Sequence, residues 1–294
     1  MIKKIIVIIV CVLLPFLGAA QHGMIKKDSS WHSKGFDFMM GGGIYFGNKY
    51  NAGYYNGSAN NECNLNYIFG NKYWYDDINK VVIGKNPFIS DSVFLGEIPL
   101  DMSYKPSMNI TFGVKYKLNK NWGISLMYSF SRLIASDVFT LNYKMPPGNL
   151  RPGYLLEHLI GKENRSTFDL SVCYLFHPHY IVKPFLELGL QFNYVDVQSF
   201  YALIEDKEFN LLDPYGGENY VPGTQMTIYN TKFGGPGFGL SLCAGLKIAF
   251  SKYVSIDPTF YFSASSFGLS GYKKMACNYA AVIRIVMSDV VFMK

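Results

Sequence analysis

Apolar side chains recur at every second position in eight stretches of this chain. In the stretch NITFGVKYKLNKNWGISLMYSF, Ile110, Phe112, Val114, Tyr116 and Leu118 alternate with Asn109, Thr111, Gly113, Lys115 and Lys117. After Asn119-Lys120-Asn121, Trp122, Ile124, Leu126, Tyr128 and Phe130 alternate with Gly123, Ser125, Met127, Ser129 and Ser131. A period of two with a polar triplet between the arms predicts two strands and a tight turn. The same period marks segments at about 36–46, 168–176, 186–194, 238–250, 254–263 and 278–287. Pro258, inside the seventh segment, removes one ladder hydrogen bond and predicts a bulge or a later strand start there.

The two faces of these segments differ in kind. The apolar face carries no charge, whereas the other holds Gly, Ser, Asn and Thr with Asp37, Lys115, Lys117, Asp169, Glu187, Lys247, Asp257 and Arg284. A soluble lipocalin-type barrel needs a wet exterior and an apolar interior. A soluble sandwich would bury these charges of both signs in its core, at several kcal/mol each unless paired. The pattern instead predicts an all-β, eight-stranded, antiparallel up-and-down transmembrane β-barrel, with apolar residues facing lipid and the polar set filling a narrow lumen. Four acids and four bases on the inner face predict a structural charge network that plugs the lumen.

Connections alternate in length, as in barrels with periplasmic turns and extracellular loops. Asn119–Asn121, His177–Lys183 and Ser251–Lys252 are short, whereas long loops are expected near 48–107, 132–165 and 196–236, with a shorter one near 266–276. Trp122, Tyr180 and Tyr253 fall at the short-turn ends, where an aromatic girdle belongs.

The N-terminus adds a destination. Lys3 and Lys4, the apolar run Ile5–Leu17 and Gly18-Ala19-Ala20 read as a cleaved secretory signal over residues 1–20, too short for a membrane helix of about 20 residues. Residues 21–34 then form a short periplasmic segment and 35–294 the barrel. Composition agrees with export to the outer membrane: aromatics are 17% and charged residues only 16%, well under the ~25% of soluble domains. Without Lys3 and Lys4, 25 basic residues face 21 acidic ones, and no basic run suggests nucleic acid.

The signal ending Gly-Ala-Ala-Gln, the eight alternating segments and the large Asn/Tyr-rich loops resemble outer-membrane β-barrel proteins of Bacteroidota, the PorT-like barrel family. More distantly the chain is similar to OmpA- and OmpX-type eight-stranded barrels. The resemblance implies fold and location, and some family members serve a protein secretion system. The closing Val-Phe-Met-Lys departs from the usual aromatic barrel ending.

Candidate chemistry is sparse. His177-Pro178-His179 is an incomplete metal-ligand set in a turn, and the glycine groups 41–43 and 234–237 match no phosphate loop, so no metal or cofactor is expected. A lipid-modifying hydrolase would need a base near the outer rim, for which His158 beside Glu157 is the candidate, with Ser131 or Ser166 as nucleophile. Nothing in the sequence places these together, and the chain is not expected to be an enzyme. Of Cys63, Cys173, Cys243 and Cys277, a Cys63–Cys277 disulfide is conceivable after export.

The first long loop carries Tyr54, Tyr55, Tyr73, Trp74 and Tyr75 among Asn and Gly. That composition suits either a binding surface, as in antibody paratopes, or a cap packed above the barrel. The reading is therefore a monomeric, non-enzymatic outer-membrane scaffold with a plugged lumen. It contacts outer-membrane lipid and presents loops to extracellular ligands, or to envelope or secretion-machinery proteins. The alternatives are a porin-like small-solute channel and the hydrolase.

Overall fold

The structure is a computed structural model that describes residues 34–89, 91–144, 153–176, 182–212, 232–251 and 253–288. Eight strands close into a ring in chain order: β1 (Gly35–Phe46), β3 (Ser107–Lys117), β4 (Trp122–Tyr143), β5 (Tyr154–Leu175), β6 (Val182–Ile204), β8 (Gly234–Ala249), β9 (Val254–Ser265) and β10 (Ala276–Ser288). Each pairs antiparallel with the next, and β10 closes on β1 from Asp37↔Ser288 to Phe46↔Tyr279. Two short strands stand off the ring: β2 (Val93–Leu95) on β4 and β7 (Lys207–Asn210) on β6. The molecule is an up-and-down transmembrane barrel, since a closed ladder leaves no backbone group unpaired in the bilayer.

The outside of the ring is apolar and bare. Phe112 is 50% exposed, Leu126 54%, Leu170 54% and Leu190 64%, while their chain neighbours Thr111, Ser125, Asp169 and Gln191 are buried inside. This band begins at Trp122 on β4 and ends at Phe130, after which the outward position is Arg132. On β5 and β6 it ends at Phe168 and Tyr194. Nine residues from Trp122 to Phe130 match the 9–11 a tilted strand needs to cross. Asn119 makes the preceding turn, its side chain accepting from the backbone N–H of Asn121 at 2.8 Å and of Trp122 at 2.9 Å.

Three strands are far longer than the sequence pattern indicated. β4 and β5 run 22 residues and β6 runs 23, so more than half of β4 and β5 and nearly half of β6 stand clear of the apolar band. Residues 132–143 and 154–165, expected as loop, are strand, as is much of 196–210. Beyond the band β2, β4, β5, β6 and β7 form one sheet, and a bulge at Lys162/Glu163 shifts the β5–β6 register there.

The first long connection is also structured. It contains α1 (Lys49–Ala52), a 3-10 turn (Gly53–Tyr55), α2 (Asn66–Phe69) and α3 (Lys72–Lys85), where only irregular loop was expected. Asn71 caps α3, its side chain accepting from Tyr73 and Trp74 N–H, and Ile78 and Val82 turn one face inward. Pro258 causes neither a bulge nor a late start. Gly245↔Thr259 and Ile248↔Ile256 keep one register across it, and Pro258 faces Ile283 in an unbroken ladder with β10. Its missing N–H therefore falls on the β8 side, where the pairs between those two are absent.

The signal segment, His177-Pro178-His179 and Tyr180 lie outside the described residues.

Candidate functional site: a two-part plug and its cap

Inside the band, the strand alternation sends small and charged residues to one axis. Asp37, Lys115, Lys117, Asp169, Glu187, Lys247, Asp257 and Arg284 all face inward, none more than 8% exposed. They form two linked groups. At the short-turn end Asp37 receives Lys117 at 2.8 Å and Lys247 at 3.2 Å. One layer further in, Glu187 lies between Lys115 at 2.6 Å and Arg284, which donates from Nη1 at 2.9 Å. Lys115 meets Oε1 of Glu187 and Arg284 meets Oε2, so each carboxylate oxygen faces one cation.

Two acids serve otherwise. Asp169 accepts from the Tyr261 hydroxyl at 2.6 Å and, among the described residues, from no cation, while Asp257 takes the Ser255 hydroxyl at 2.9 Å and sits across from Arg284 on the β9–β10 ladder. Cys173 belongs to the same layer, its sulfur 3.5 Å from Lys115 Nζ. The cavities between these groups are small. One of about 20 Å³ lies between Thr111, Met127, Gln191 and Tyr261, and a second of the same size between Asp37, Lys117 and Phe185. Each has room for little more than one water.

A second charged centre sits above the band. Glu163 and Arg165 are 0% and 1% exposed and pair at 2.5 Å. Tyr55 and Tyr104 donate their hydroxyls to Glu163 Oε2 at 2.6 and 3.0 Å, and the guanidinium of Arg165 stacks 3.9 Å from the Phe267 ring. Gly161 lets the Tyr55 ring lie directly against β5, in space that a Cβ would fill. The alternation did carry a signal for this pair, since Glu163, Arg165, Thr167 and Asp169 share one face. It was hidden because the strand was expected to start later.

Over this pair the cap closes the barrel. Tyr54, Tyr55, Leu65, Ile68, Ile78 and Val82 have no exposed surface. They pack on Leu133, Phe139, Leu159, Phe200 and Ile204 from the inner face of the extended sheet. This corrects the binding-surface reading for Tyr54 and Tyr55: their rings are core, and burying them stabilises the cap by roughly 1.5–3 kcal/mol each. Trp74 packs edge-on against Phe209 and Tyr75 donates to the Val93 carbonyl at 2.9 Å, leaving Tyr73, 52% exposed, as the member of the set open to solvent.

The rim of the cap holds a titratable latch. Glu157, on the inner face of β5 well beyond the apolar band, accepts the backbone N–H of Glu205 at 2.9 Å. Burial pushes its carboxyl up to about 7, with the Glu205 charge adding and Lys85 opposing. Glu205 turns the β6–β7 hairpin at φ +56° and accepts from Asn86, while Lys85 pairs with Asp206 at 2.9 Å. Helix α3 is thereby tied to the hairpin over Glu157.

The residues considered for hydrolysis are not brought together. His158 points out of the sheet between Val138 and Leu203, Ser131 points into the lumen toward Asn109, and Ser166 faces outward beside Tyr128. Eight strand residues separate His158 from Ser166, about 26 Å at strand rise. Cys63 is buried against the Tyr54 hydroxyl and Cys277 is exposed, and among the described residues the disulfide considered between them does not form.

No protein-family model matches the chain, and no curated protein matches it. Among solved structures it is similar to the Neisserial surface protein A, with a TM-score of 0.43 and 10% identity over 87% of this chain and 98% of that one. It is also similar to OprG from Pseudomonas aeruginosa, at TM-score 0.36, 10% identity and 89% and 97% coverage. Ail of Yersinia pestis gives 0.34, 9% identity and 87% and 98% coverage. With every score below 0.5, the fold assignment rests on the strand ladder itself.

Proposed function

We propose that this protein is a non-enzymatic outer-membrane scaffold, closed to solutes, that holds a rigid capped sheet outside the cell for recognition or as an accessory to envelope or secretion machinery. The observation that carries the reading is the pairing of a charge-free outer band with an ion-paired interior. Such a surface is stable only in lipid, and charges paired across a narrow lumen support a closed interior. The extended sheet lies at the end of the long connections, which in outer-membrane barrels is the extracellular end. The PorT-like resemblance is compatible with an accessory role.

Planar-bilayer recording tests the closed lumen. Refolded protein is expected to insert without unit conductance, and stable unit currents would overturn the reading in favour of a channel. Gel mobility tests the membrane reading: the native band should shift on heating, and a mature chain recovered from the soluble periplasm without detergent would overturn it.

A further inference from the structure

The outer wall immediately above the apolar band carries three cations in one small triangle. Lys105 lies beside β4, its N–H donating to the Ile134 carbonyl at 2.8 Å, with Tyr104 bridged to Ala135. On the other side of β4, Ile134 pairs with Lys162. Lys105 and Lys162 thus flank Ile134 on adjacent strands, about 10 Å apart at ordinary strand spacing. Arg132 projects from the same face two residues nearer the membrane.

Lys105 and Arg132 are exposed, and Lys162 is half-buried with its ammonium 5.3 Å from the Tyr201 ring. Among the described residues none of the three pairs with a carboxylate. On that face Asp196 lies across Asn164 from Arg132 and is engaged by the Gln198 amide, and Asp101, four residues before Lys105, pairs with Lys49. Directly below is Phe130, and Met108, 70% exposed, stands on β3 at the level of Arg132.

We infer that Lys105, Arg132 and Lys162 form a binding site for the phosphate groups of an outer-leaflet glycolipid. The inference rests on the outer-membrane reading above, which places this edge of the band at the outer leaflet. The ladder sets the three cationic residues on one outer face at a fixed backbone spacing, and a polyvalent anion can draw their side chains together. A phosphomonoester carries roughly −1.5 to −2 charges and accepts a bidentate guanidinium contact. The level is also right: headgroup phosphates begin where hydrocarbon ends, and hydrocarbon ends here between Phe130 and Arg132.

The test compares full mature chain with the Lys105→Gln/Arg132→Gln/Lys162→Gln variant in phosphatidylcholine nanodiscs, with and without bisphosphorylated lipid A. Native mass spectrometry after release counts retained lipid. The wild type is expected to retain lipid A over its dephosphorylated form, and retention should fall roughly fivefold per cation removed. A control variant, Lys72→Gln/Lys80→Gln on the cap, should retain lipid like the wild type.

Equal retention by wild type and triple variant overturns the site, as does an equal loss in the cap control. Sucrose octasulfate, tested in detergent without lipid A, separates the sources. If it binds the wild type tightly and lipid A does not, the site takes a soluble polyanion and the lipid assignment is wrong. A wild type that inserts with its heat-modifiable band yet retains no lipid A overturns this inference alone. A wild type that never inserts overturns the membrane reading and this inference with it.

Discussion

The lower and upper halves of β4 and β6 are one continuous backbone with opposite chemistry. Below Phe130, β4 turns Ile124, Leu126 and Tyr128 outward and Ser125 inward; above it, Arg132, Ser136 and Thr140 join Ile134 and Val138 on the outer face, while Leu133, Ala135, Phe139 and Leu141 are buried. On β6 the outward file passes from Leu190 and Phe192 to Asp196, while Val195, Phe200 and Ala202 turn inward. The ladder does not break at the crossover. What changes is the solvent: lipid outside and a polar lumen below, water outside and an apolar cap above. Strand phase reports the surroundings of each face rather than the continuity of the strand.

The contrast fails first where each half is stabilised in its own currency. Removing Glu187 leaves Lys115 and Arg284 buried without their shared acid, so Glu187→Ala should destabilise the barrel by about 3–5 kcal/mol in urea unfolding from vesicles. Phe200→Ala in the cap should cost a comparable ~3–5 kcal/mol through a cavity. The two should differ in reach, because hydrogen exchange after the Phe200 change should rise in the cap and spare β1 and β10. A global loss from Phe200→Ala would mean that the halves fold as one unit.

The outward faces come next. Leu126→Arg should cost about 2–4 kcal/mol in lipid. The same change at Val138, on the same face of the same strand above the band, should fall within about 0.5 kcal/mol as an ordinary surface substitution. Equal costs at the two sites would erase the boundary at Phe130. Smaller again is Gly161→Ala, which pushes Tyr55 off β5 and away from Glu163 and should cost about 1–3 kcal/mol.

The Glu157 latch gives the mildest signal, and it is confined to the upper half. Its folded carboxyl titrates near 7 against an ordinary 4.5, so the folded state holds the extra proton between those values. Cap stability should be fully present below about pH 4.5, fall as pH rises to about 7, and then level off. Hydrogen exchange of α3 across this range should show that slope in the wild type and lose it in Glu157→Gln. A slope of opposite sign would reverse the assignment.

The crossover also explains what the sequence made legible. Wherever lipid lies on one side and the lumen on the other, the period-two pattern marks the strands and the inward charges, down to Lys117 and Arg284. At Ser131, Arg165 and Val195 the pattern changes phase, and a reader following one phase stops there, losing half of three strands and the Glu163–Arg165 pair. Leu156 and Ile160 keep some apolar character on the outer face of β5, so that strand's inversion is only partial. Helix α3 did carry a signal, Asn71 followed by Trp74, Ile78 and Val82 at helical spacing, but the density of Asn and Tyr around it reads as loop. Partner choice within the plug was not legible either. Asp169 looked as fit as Glu187 to receive Lys115, and only the three-dimensional layering gives it Tyr261 instead.

The most direct test of the inversion is a spin-label accessibility scan of β4 from residue 122 to 142 in vesicles, on a background lacking Cys63, Cys173, Cys243 and Cys277. Outward labels at 124, 126 and 128 should meet oxygen and be shielded from a water-soluble nickel complex. Outward labels at 132, 136 and 140 should meet the nickel complex, with 133, 139 and 141 shielded from both. Nickel accessibility at 124–128 equal to that at 136 and 140, or oxygen-rich labels at 133 and 139, would contradict the account.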